Sequence, residues 1–316
     1  MNYDHKISLE DATRIFFQTD DVSDRYKTFF ESIDTRYRML SEQENKNLLA
    51  EIENKIINDK KNVSDPLRQK VWFDGWQENL EAFRKSKSTD SVTPKFLRPN
   101  NPVRFNGNFI IPSNPFFERD MSKLFQIFIY DNFVFKNEIT KIYEFGCGSG
   151  FNLLFFLQFY KNMIPNISLV GLDFVQSSVD LIDEIGKHHQ CDLTGKLFDM
   201  KKPDKSYEIK ENSCVFTACA LEQLGKEHYN FIDYLVQQDL KICFHLEPIV
   251  ENYDAKNPFD KMAIDFHRKR GYLDGLKPYL HKLKSDGIIN IMFDKRLMFG
   301  SLFHEGYHLI IWSKND

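Results

Sequence analysis

The sequence has few cysteines, and no pair of them has the spacing of a metal site. Among 316 residues there are five cysteines, with no Cys-x-x-Cys pattern. They lie in the second half of the chain, mostly within or beside apolar runs: Cys147, Cys191, Cys214, Cys219 and Cys243. This distribution argues against a zinc framework and a disulfide scaffold, and it predicts buried free thiols.

The sequence also lacks an excess of charge of one sign and a long apolar run. Its formal net charge is −4 and its pI is about 6.2, so no general basic field attracts a nucleic-acid backbone. Apolar stretches such as Leu124–Phe135 are too short for a transmembrane helix, and this one contains Asp131. Residues Met1–Lys6 have neither the basic segment nor the apolar core of a signal peptide. We therefore expect a cytoplasmic protein without a membrane partner, and nucleic acid is disfavoured as a partner.

The last glycine of a dinucleotide-binding loop is missing as well. Residues 142–152 read Ile-Tyr-Glu-Phe-Gly-Cys-Gly-Ser-Gly-Phe-Asn, which predicts a buried strand, a glycine turn and the start of an apolar helix. Glycines at alternate positions allow a sharp turn that brings a ligand against backbone amides. The motif G-x-G-x-x-G would need a glycine where this chain has Phe151. The spacing therefore disfavours NAD, and a plain strand-to-helix turn stays open as the alternative.

The same loop resembles the first motif of class I S-adenosylmethionine (SAM)-dependent methyltransferases. In that family an acidic residue precedes a G-x-G-x-G loop, as Glu144 precedes Gly146, Gly148 and Gly150 here. From residue 141 onwards, short apolar strands alternate with amphipathic helices, which is typical of βαβ units and a parallel sheet. We expect strands at residues 142–145, 168–173, 196–199, 213–217, 242–247, 288–293 and 307–312.

No helix separates the last two predicted strands, which indicates an antiparallel pair at the end of the sheet. The resemblance then implies an α/β fold with the Rossmann-like, seven-stranded sheet of class I methyltransferases, in which the last strand is reversed. It covers residues 120–316, the expected methyltransferase domain. Residues 94–119 form a connector, in which Asn106-Gly107 between two apolar runs predicts a β-hairpin.

Residues 1–93 are expected to form a helical N-terminal extension. Apolar side chains recur there at helical spacing. One such stripe comprises Trp72, Phe73, Trp76, Leu80 and Phe83. We interpret this stripe as packing and not as part of a binding site. Because the extension has no place in the seven-stranded sheet, we expect it to cover the acceptor pocket as a lid.

The resemblance implies a set of residues that bind SAM and its product S-adenosylhomocysteine (SAH). Asp173 ends the second strand, where a carboxylate can accept both ribose hydroxyls, although it could instead cap the next helix. Glu144 would meet the methionine ammonium group or brace the glycine loop. The expected set is Glu144, Gly146, Gly148, Gly150, Asn152, Asp173, Phe174, Asp199, Met200 and Ala218. In it, Phe174 and Met200 would lie beside adenine, and Asp199 would accept its amino group.

The acid and base candidates follow the fourth and fifth strands. Methyl transfer from a sulfonium is an in-line displacement, so a base is needed only if the acceptor keeps its proton. His245 and Glu247 are alternate residues of one strand and share a face, and Glu222 approaches from the preceding loop. We predict His245 as the base, oriented by these carboxylates. A Mg²⁺ site on the carboxylates and a buried structural histidine remain alternatives, although no sequence spacing specifies a metal.

A second group of candidates lies nearer the end of the chain. Residues 265–272 read Asp-Phe-His-Arg-Lys-Arg-Gly-Tyr and contribute His267 as a further catalytic candidate. Arg268 and Arg270 could clamp a phosphate or carboxylate, or could simply form a solvated basic face at a helix end. The loop between the last two strands adds His304 and Glu305.

Together these patterns predict a SAM-dependent methyltransferase of a small or medium-sized metabolite, with oxygen as the acceptor atom. Residues 218–224 resemble the fourth motif of the family but lack the Asn/Asp-Pro-Pro-Tyr typical of amino-group methylation. Segments such as His-Leu-Glu-Pro at 245–248 resemble bacterial sugar or surface-polysaccharide methyltransferases. The alternatives are a protein or RNA methyltransferase and a SAM-binding regulatory module without catalysis.

Overall fold

Two β-sheets organise the protein. The computed structural model describes residues 2–97, 99, 102–164 and 166–315, and it contains a seven-stranded and a five-stranded sheet. The strands are β1 (His5–Lys6), β2 (Arg36–Met39), β3 (Val103–Phe105), β4 (Asn108–Pro112), β5 (Lys141–Phe145), β6 (Ser168–Asp173), β7 (Leu193–Leu197), β8 (Ser213–Ala218), β9 (Ile242–Glu247), β10 (Ile289–Arg296), β11 (Phe299–Gly300) and β12 (His308–Lys314). The α-helices are α1 (Leu9–Phe16), α2 (Asp24–Ser32), α3 (Glu42–Ile57), α4 (Arg68–Ser86), α5 (Phe117–Ile129), α6 (Phe151–Tyr160), α7 (Gln176–His189), α8 (His228–Gln237), α9 (Pro258–Arg270) and α10 (Leu276–Ser285).

The seven-stranded sheet has the order β10-β12-β9-β8-β5-β6-β7. Strands β5 to β9 are parallel, and β12 is antiparallel to both of its neighbours. The α/β class, the seven strands and the reversed last strand are those of the class I methyltransferase fold, so this prediction is confirmed. Within the described residues, no helix is both long enough and apolar enough to cross a membrane.

Local sequence accounts for most element boundaries. Helix α9 begins with an Asn257 side chain that accepts from the Phe259 amide, has Pro258 in its first turn and ends at Gly271 in the left-handed conformation. The third strand was predicted three residues too late, because β7 is an edge strand on which only Leu193 and Gly195 are buried. Helix α7 begins at Gln176 without a side-chain cap, and the Ser177 hydroxyl in its first turn donates to the Phe73 carbonyl.

The five-stranded sheet joins the start of the chain to its end. Its order is β1-β2-β4-β3-β11, so β2 of the N-terminal region pairs with β4 of the hairpin β3–β4, and β3 pairs with β11 near the C-terminus. The predicted hairpin is confirmed, with Asn106 and Gly107 at positive φ in its turn. The region is mainly helical, as expected, but β1 and β2 show that it is not only helical. Phe16 and Tyr26 are fully buried in the larger hydrophobic core.

Candidate active site

One cavity of about 630 Å³ lies at the carboxyl ends of the central parallel strands. Its floor comes from segments that directly follow β5, β6, β7 and β8. Its cover comes from residues 63–66, from helix α4 and from residues 94–97. Ligands of open α/β sheets bind outside these strand ends, so this cavity is the candidate binding site. Of the ten predicted cofactor residues, all except Gly150 line it.

The glycine loop brings bare backbone to the cavity wall. Gly148 has φ +52°, and a Cβ added there would lie 2.7 Å from the Trp76 ring. At Gly146, with φ +72°, a Cβ would lie 2.5 Å from the Ala220 side chain. Side chains at these positions would therefore be strained and would clash. Gly150 differs, because it precedes α6 and faces Ile182.

Asp173 is held by the glycine loop and its own turn. Its Oδ2 accepts from the Gly148 amide at 2.9 Å, and its Oδ1 accepts from the Val175 amide at 3.2 Å. Burial raises the pKa of this carboxyl to about 6, while the Gly148 amide acts in the opposite direction. Because each carboxylate oxygen can accept more than one hydrogen bond, Asp173 keeps acceptor capacity towards the cavity.

Glu144 presents an unpaired carboxylate oxygen. Its Oε1 accepts from the side-chain Nδ2 of Asn152 at 2.6 Å. The Oδ1 of Asn152 in turn accepts from the Gln126 side chain at 3.0 Å. The other oxygen, Oε2, is buried and has no hydrogen-bond partner. Burial raises the pKa of Glu144 to about 8, mainly because the charged form loses its water. A cationic or N–H group of a ligand would satisfy this oxygen.

The end of the cavity beyond β6 and β7 is more apolar. Phe174, Phe198 and Met200 line it, and a side chain of this kind can pack against a flat ring. Asp199 is exposed and uses Oδ1 to accept from the Lys201 amide at 2.9 Å. Asp199 lies two residues beyond the end of β7, in the turn and not in the strand.

His245 does not reach this cavity. It is fully buried, and its neighbour Leu246 lines the cavity instead. The Trp312 indole N–H donates to Nε2 at 3.1 Å, so Nδ1 carries the ring proton and faces the Thr217 hydroxyl at 3.0 Å. Burial lowers the pKa of His245 to about 3. With both nitrogens engaged, this imidazole cannot take a substrate proton in the arrangement seen here.

Glu247 and Glu222 do not line the cavity either. The Glu247 carboxylate accepts from the amides of Ala220 and Leu221, both at 3.0 Å, and thereby braces the turn that follows β8. The Oε1 of Glu222 accepts from the side-chain Nε2 of Gln223, while its Oε2 is buried without a hydrogen-bond partner. Burial raises the pKa of Glu222 to about 8, and the neighbouring Glu247 acts in the same direction.

His267 belongs to a buried cluster beyond Glu222. Its Nε2 lies 2.9 Å from Nδ1 of His304, whose own Nε2 lies 4.0 Å from Glu222 Oε2. Burial lowers the pKa of His267 to about 3. Arg270 donates to Asp59 at 2.6 Å and to the Tyr272 hydroxyl at 2.7 Å, so it is not a free clamp. In the described part of the chain, no group of three or more His, Cys, Asp and Glu side chains could hold a metal ion.

Sequence reasoning missed the wall that helix α4 contributes. Trp72 and Trp76, interpreted as packing, stack with ring centroids 5.4 Å apart and line the cavity. The same stripe buries Leu80 and Phe83 but leaves Phe73 exposed. The helical spacing of 72 and 76 was the available signal, but periodicity alone does not tell a core face from a cavity face. Ser149 ties the glycine loop to this region by donating to the Val92 carbonyl at 2.6 Å.

No protein-family model and no curated protein matches this chain. Among solved structures it is similar to the methyltransferase domain of a bacterial Hen1, with 13% identity, 62% of this chain and 98% of that chain covered, and a TM-score of 0.44. It is also similar to an rRNA methylase from Escherichia coli, with 13% identity, 92% and 99% covered, and a TM-score of 0.44.

A third similar structure is magnesium protoporphyrin IX methyltransferase from Synechocystis PCC 6803 with bound SAH, with 11% identity, 63% and 84% covered, and a TM-score of 0.44. All three are named as methyltransferases or methylases, and two of the names give an acceptor, rRNA and magnesium protoporphyrin IX.

Proposed function

We propose that this protein is a SAM-dependent methyltransferase that acts on a small or medium-sized metabolite. The observation that carries the proposal is the pair of buried carboxylates, Glu144 and Asp173, at the ends of neighbouring strands on one cavity. Between them runs a glycine loop whose backbone admits no side chain at Gly146 or Gly148. This arrangement suits an adenosyl ligand with a cationic amino-acid end and no pyrophosphate.

The residues present fit SAM. Glu144 Oε2 is a buried acceptor without a partner and would receive the ammonium group. Asp173 would accept from the ribose hydroxyls, and Phe174 and Met200 would pack against adenine. Ala218 and Leu246 line the side of the cavity where the sulfur would lie. When bound, SAM supplies an electrophilic methyl group.

The chain's own contribution to the reaction would be alignment and exclusion of water. Trp72 and Trp76, both within residues 1–93, cover the cavity with apolar surface. This cover supports the proposal that residues 1–93 act as a lid above the methyltransferase domain, residues 120–316, with residues 94–119 as a connector. The cover over part of the cavity also favours a small acceptor over an RNA or protein surface.

Oxygen is our proposed acceptor atom. None of the described residues that line the cavity is a histidine, and His245 is engaged elsewhere. An oxygen that loses its proton without help needs no base at the site. A carboxyl group meets this condition at neutral pH, so it suits the cavity better than an alcohol.

Calorimetric titration with SAH and with NAD tests the proposal. The wild-type protein should bind SAH and not NAD. Asp173→Ala should weaken SAH binding by about 1–3 kcal/mol, because charged hydrogen bonds to the ribose are lost. Asp192→Ala, at an exposed position before β7, is the matched control and should bind as the wild type does. Undetectable SAH binding together with NAD binding would reject the proposal.

A further inference from the structure

Gln126 lines the cavity, although no sequence pattern assigned it to the site. It lies in the last turn of helix α5, and its side chain is buried. Its Nε2 donates to Asn152 Oδ1 at 3.0 Å and to the Ser122 carbonyl at 3.5 Å. Its Oε1 is buried and has no hydrogen-bond partner among the described residues. A buried oxygen without a donor is costly, so its presence on a cavity wall indicates a ligand-binding surface.

Gln126, Asn152 and Glu144 form a continuous chain of hydrogen bonds, which we call the amide relay. Asn152 lies in the first turn of α6 and donates from Nδ2 to Glu144 Oε1 at 2.6 Å. Glu144 lies near the end of β5. The amide relay therefore joins two helices to the central sheet, and all three of its residues line the cavity.

The ionised form of Glu144 determines the direction of the amide relay. A carboxylate only accepts hydrogen bonds, so Asn152 must turn Nδ2 towards Glu144 and Oδ1 towards Gln126. Gln126 must then present Nε2 to Asn152, which leaves its Oε1 without a donor from the described chain. The Ser122 carbonyl is also an acceptor and favours the same orientation of the Gln126 amide. Each of the two amides therefore has one orientation that suits its neighbours.

Both ends of the amide relay are buried oxygens that lack a partner among the described residues, Glu144 Oε2 and Gln126 Oε1. Glu247 shows the contrasting case of a buried carboxylate that the chain itself satisfies, through the amides of Ala220 and Leu221. Two open acceptors reduce the stability of the empty protein, because they have lost water without gaining a donor. This difference favours a role of the amide relay in ligand binding over a role in stability alone.

We propose that Gln126 is a positioning residue of the cofactor site: through Asn152, it holds Glu144 in the orientation that binds the ammonium group of SAM and SAH. The proposal rests on the function proposed above and adds a residue of α5 to the cofactor site. The Gln126 donor restrains the Asn152 amide, and Asn152 in turn restrains the carboxylate. Such preorganisation increases affinity, because less side-chain freedom is lost on binding.

Binding of SAH and of deamino-SAH, in which hydrogen replaces the amino group, tests this role. The two ligands differ only at the group that Glu144 would bind, so the ratio of their affinities reports that contact. We expect the wild type to bind SAH roughly ten- to a hundredfold more tightly than deamino-SAH. Gln126→Met keeps the length of the side chain but removes the donor to Asn152. It should reduce the ratio roughly fivefold and leave the affinity for deamino-SAH unchanged, as measured by titration calorimetry.

The matched control is Gln77→Met, because Gln77 donates to Glu81 at 3.1 Å and lies outside this cavity. Its ratio should equal that of the wild type. A double-mutant cycle with Glu144→Gln shows whether Gln126 acts through the carboxylate, and in that background Gln126→Met should change the ratio less than about twofold. If Gln126→Met does not fold, Asn152→Ala replaces it, because it interrupts the same relay and should also reduce the ratio.

Three results would overturn the role of Gln126. The first is a wild type without preference for SAH over deamino-SAH, and the second is an unchanged ratio in Gln126→Met, whether or not both affinities fall together. The third is an equal reduction of the ratio in the Glu144→Gln background, which would show that Gln126 does not act through Glu144. Failure of the proposed function is distinct from these results, because the wild type would then bind neither ligand.

Discussion

The two halves of the sheet edge use polar residues in opposite ways. At the ends of β5 and β6, Glu144 and Asp173 line the cavity, and Glu144 Oε2 has no hydrogen-bond partner. At the end of β9, His245 and Glu247 are equally buried, but the protein itself satisfies them through Trp312, Thr217 and backbone amides. Glu144 and Asp173 can therefore bind a ligand. His245 and Glu247 instead stabilise the sheet and the turn after β8.

Strand register explains this difference. Glu144 pairs with Phe216, and Phe216 pairs with Phe244, so these three side chains share one face of the sheet. His245 pairs with Thr217 and points to the opposite face. Glu144 and His245 both lie near the end of a strand in the sequence, but their side chains lie on opposite faces of the sheet. Helix α4 contributes Trp72 and Trp76 to the cavity wall.

The largest effect should come from filling the glycine loop. Gly148→Val places a branched side chain at φ +52° and against Trp76. We expect SAH affinity to fall by roughly a hundredfold, which corresponds to about 3 kcal/mol of strain and lost contact. Gly75→Ala is the control, because the space around Gly75 in α4 is open. Equal SAH affinity of the two variants by calorimetry would contradict the assigned role of the loop.

A change at His245 should affect stability and not binding. His245→Leu leaves the Trp312 N–H and the Thr217 hydroxyl without their partner, at a cost of about 1–3 kcal/mol in the free energy of unfolding. The control is His281→Leu, whose partly exposed imidazole should cost less than about 0.5 kcal/mol. Denaturant unfolding and SAH titration measure both. A variant of normal stability that had lost turnover would return His245 to the role of base.

The smallest effect should come from removing an aromatic side chain of α4 from the cavity wall. Trp72→Ala removes an aromatic ring from the cavity cover, so bound SAH should dissociate roughly fivefold faster, the equivalent of about 1 kcal/mol. Phe73→Ala is its neighbour on the exposed side of the helix and should leave the rate unchanged. Stopped-flow displacement of SAH measures both rates. Equal rates in Trp72→Ala and the wild type would remove α4 from the site.

Sequence reasoning succeeded where the backbone determines the outcome. The glycine spacing at 146–150 and the alternation of strands and helices carried the family resemblance, and that resemblance implied the sheet and its reversed last strand. Sequence reasoning failed for side-chain positions that depend on packing between elements distant in the sequence. Neither the face of His245 nor the cavity position of Trp76 follows from local spacing, because each depends on elements distant in the chain. The strands β1 and β2 were missed because both are short. Each also pairs with a strand that is distant in the sequence, β1 with β2 and β2 with β4.

The most direct test of the account is the proton release that accompanies SAH binding at pH 7. Because burial raises the pKa of Glu144 to about 8, the free protein holds this carboxyl mainly protonated. A bound ammonium group favours the charged carboxylate, so binding should release close to one proton, and affinity should rise between pH 6 and pH 8. Titration calorimetry in two buffers of different ionisation enthalpy measures this release, and Glu144→Gln should abolish it. Binding without proton release in the wild type, or with equal release in Glu144→Gln, would contradict the role of Glu144.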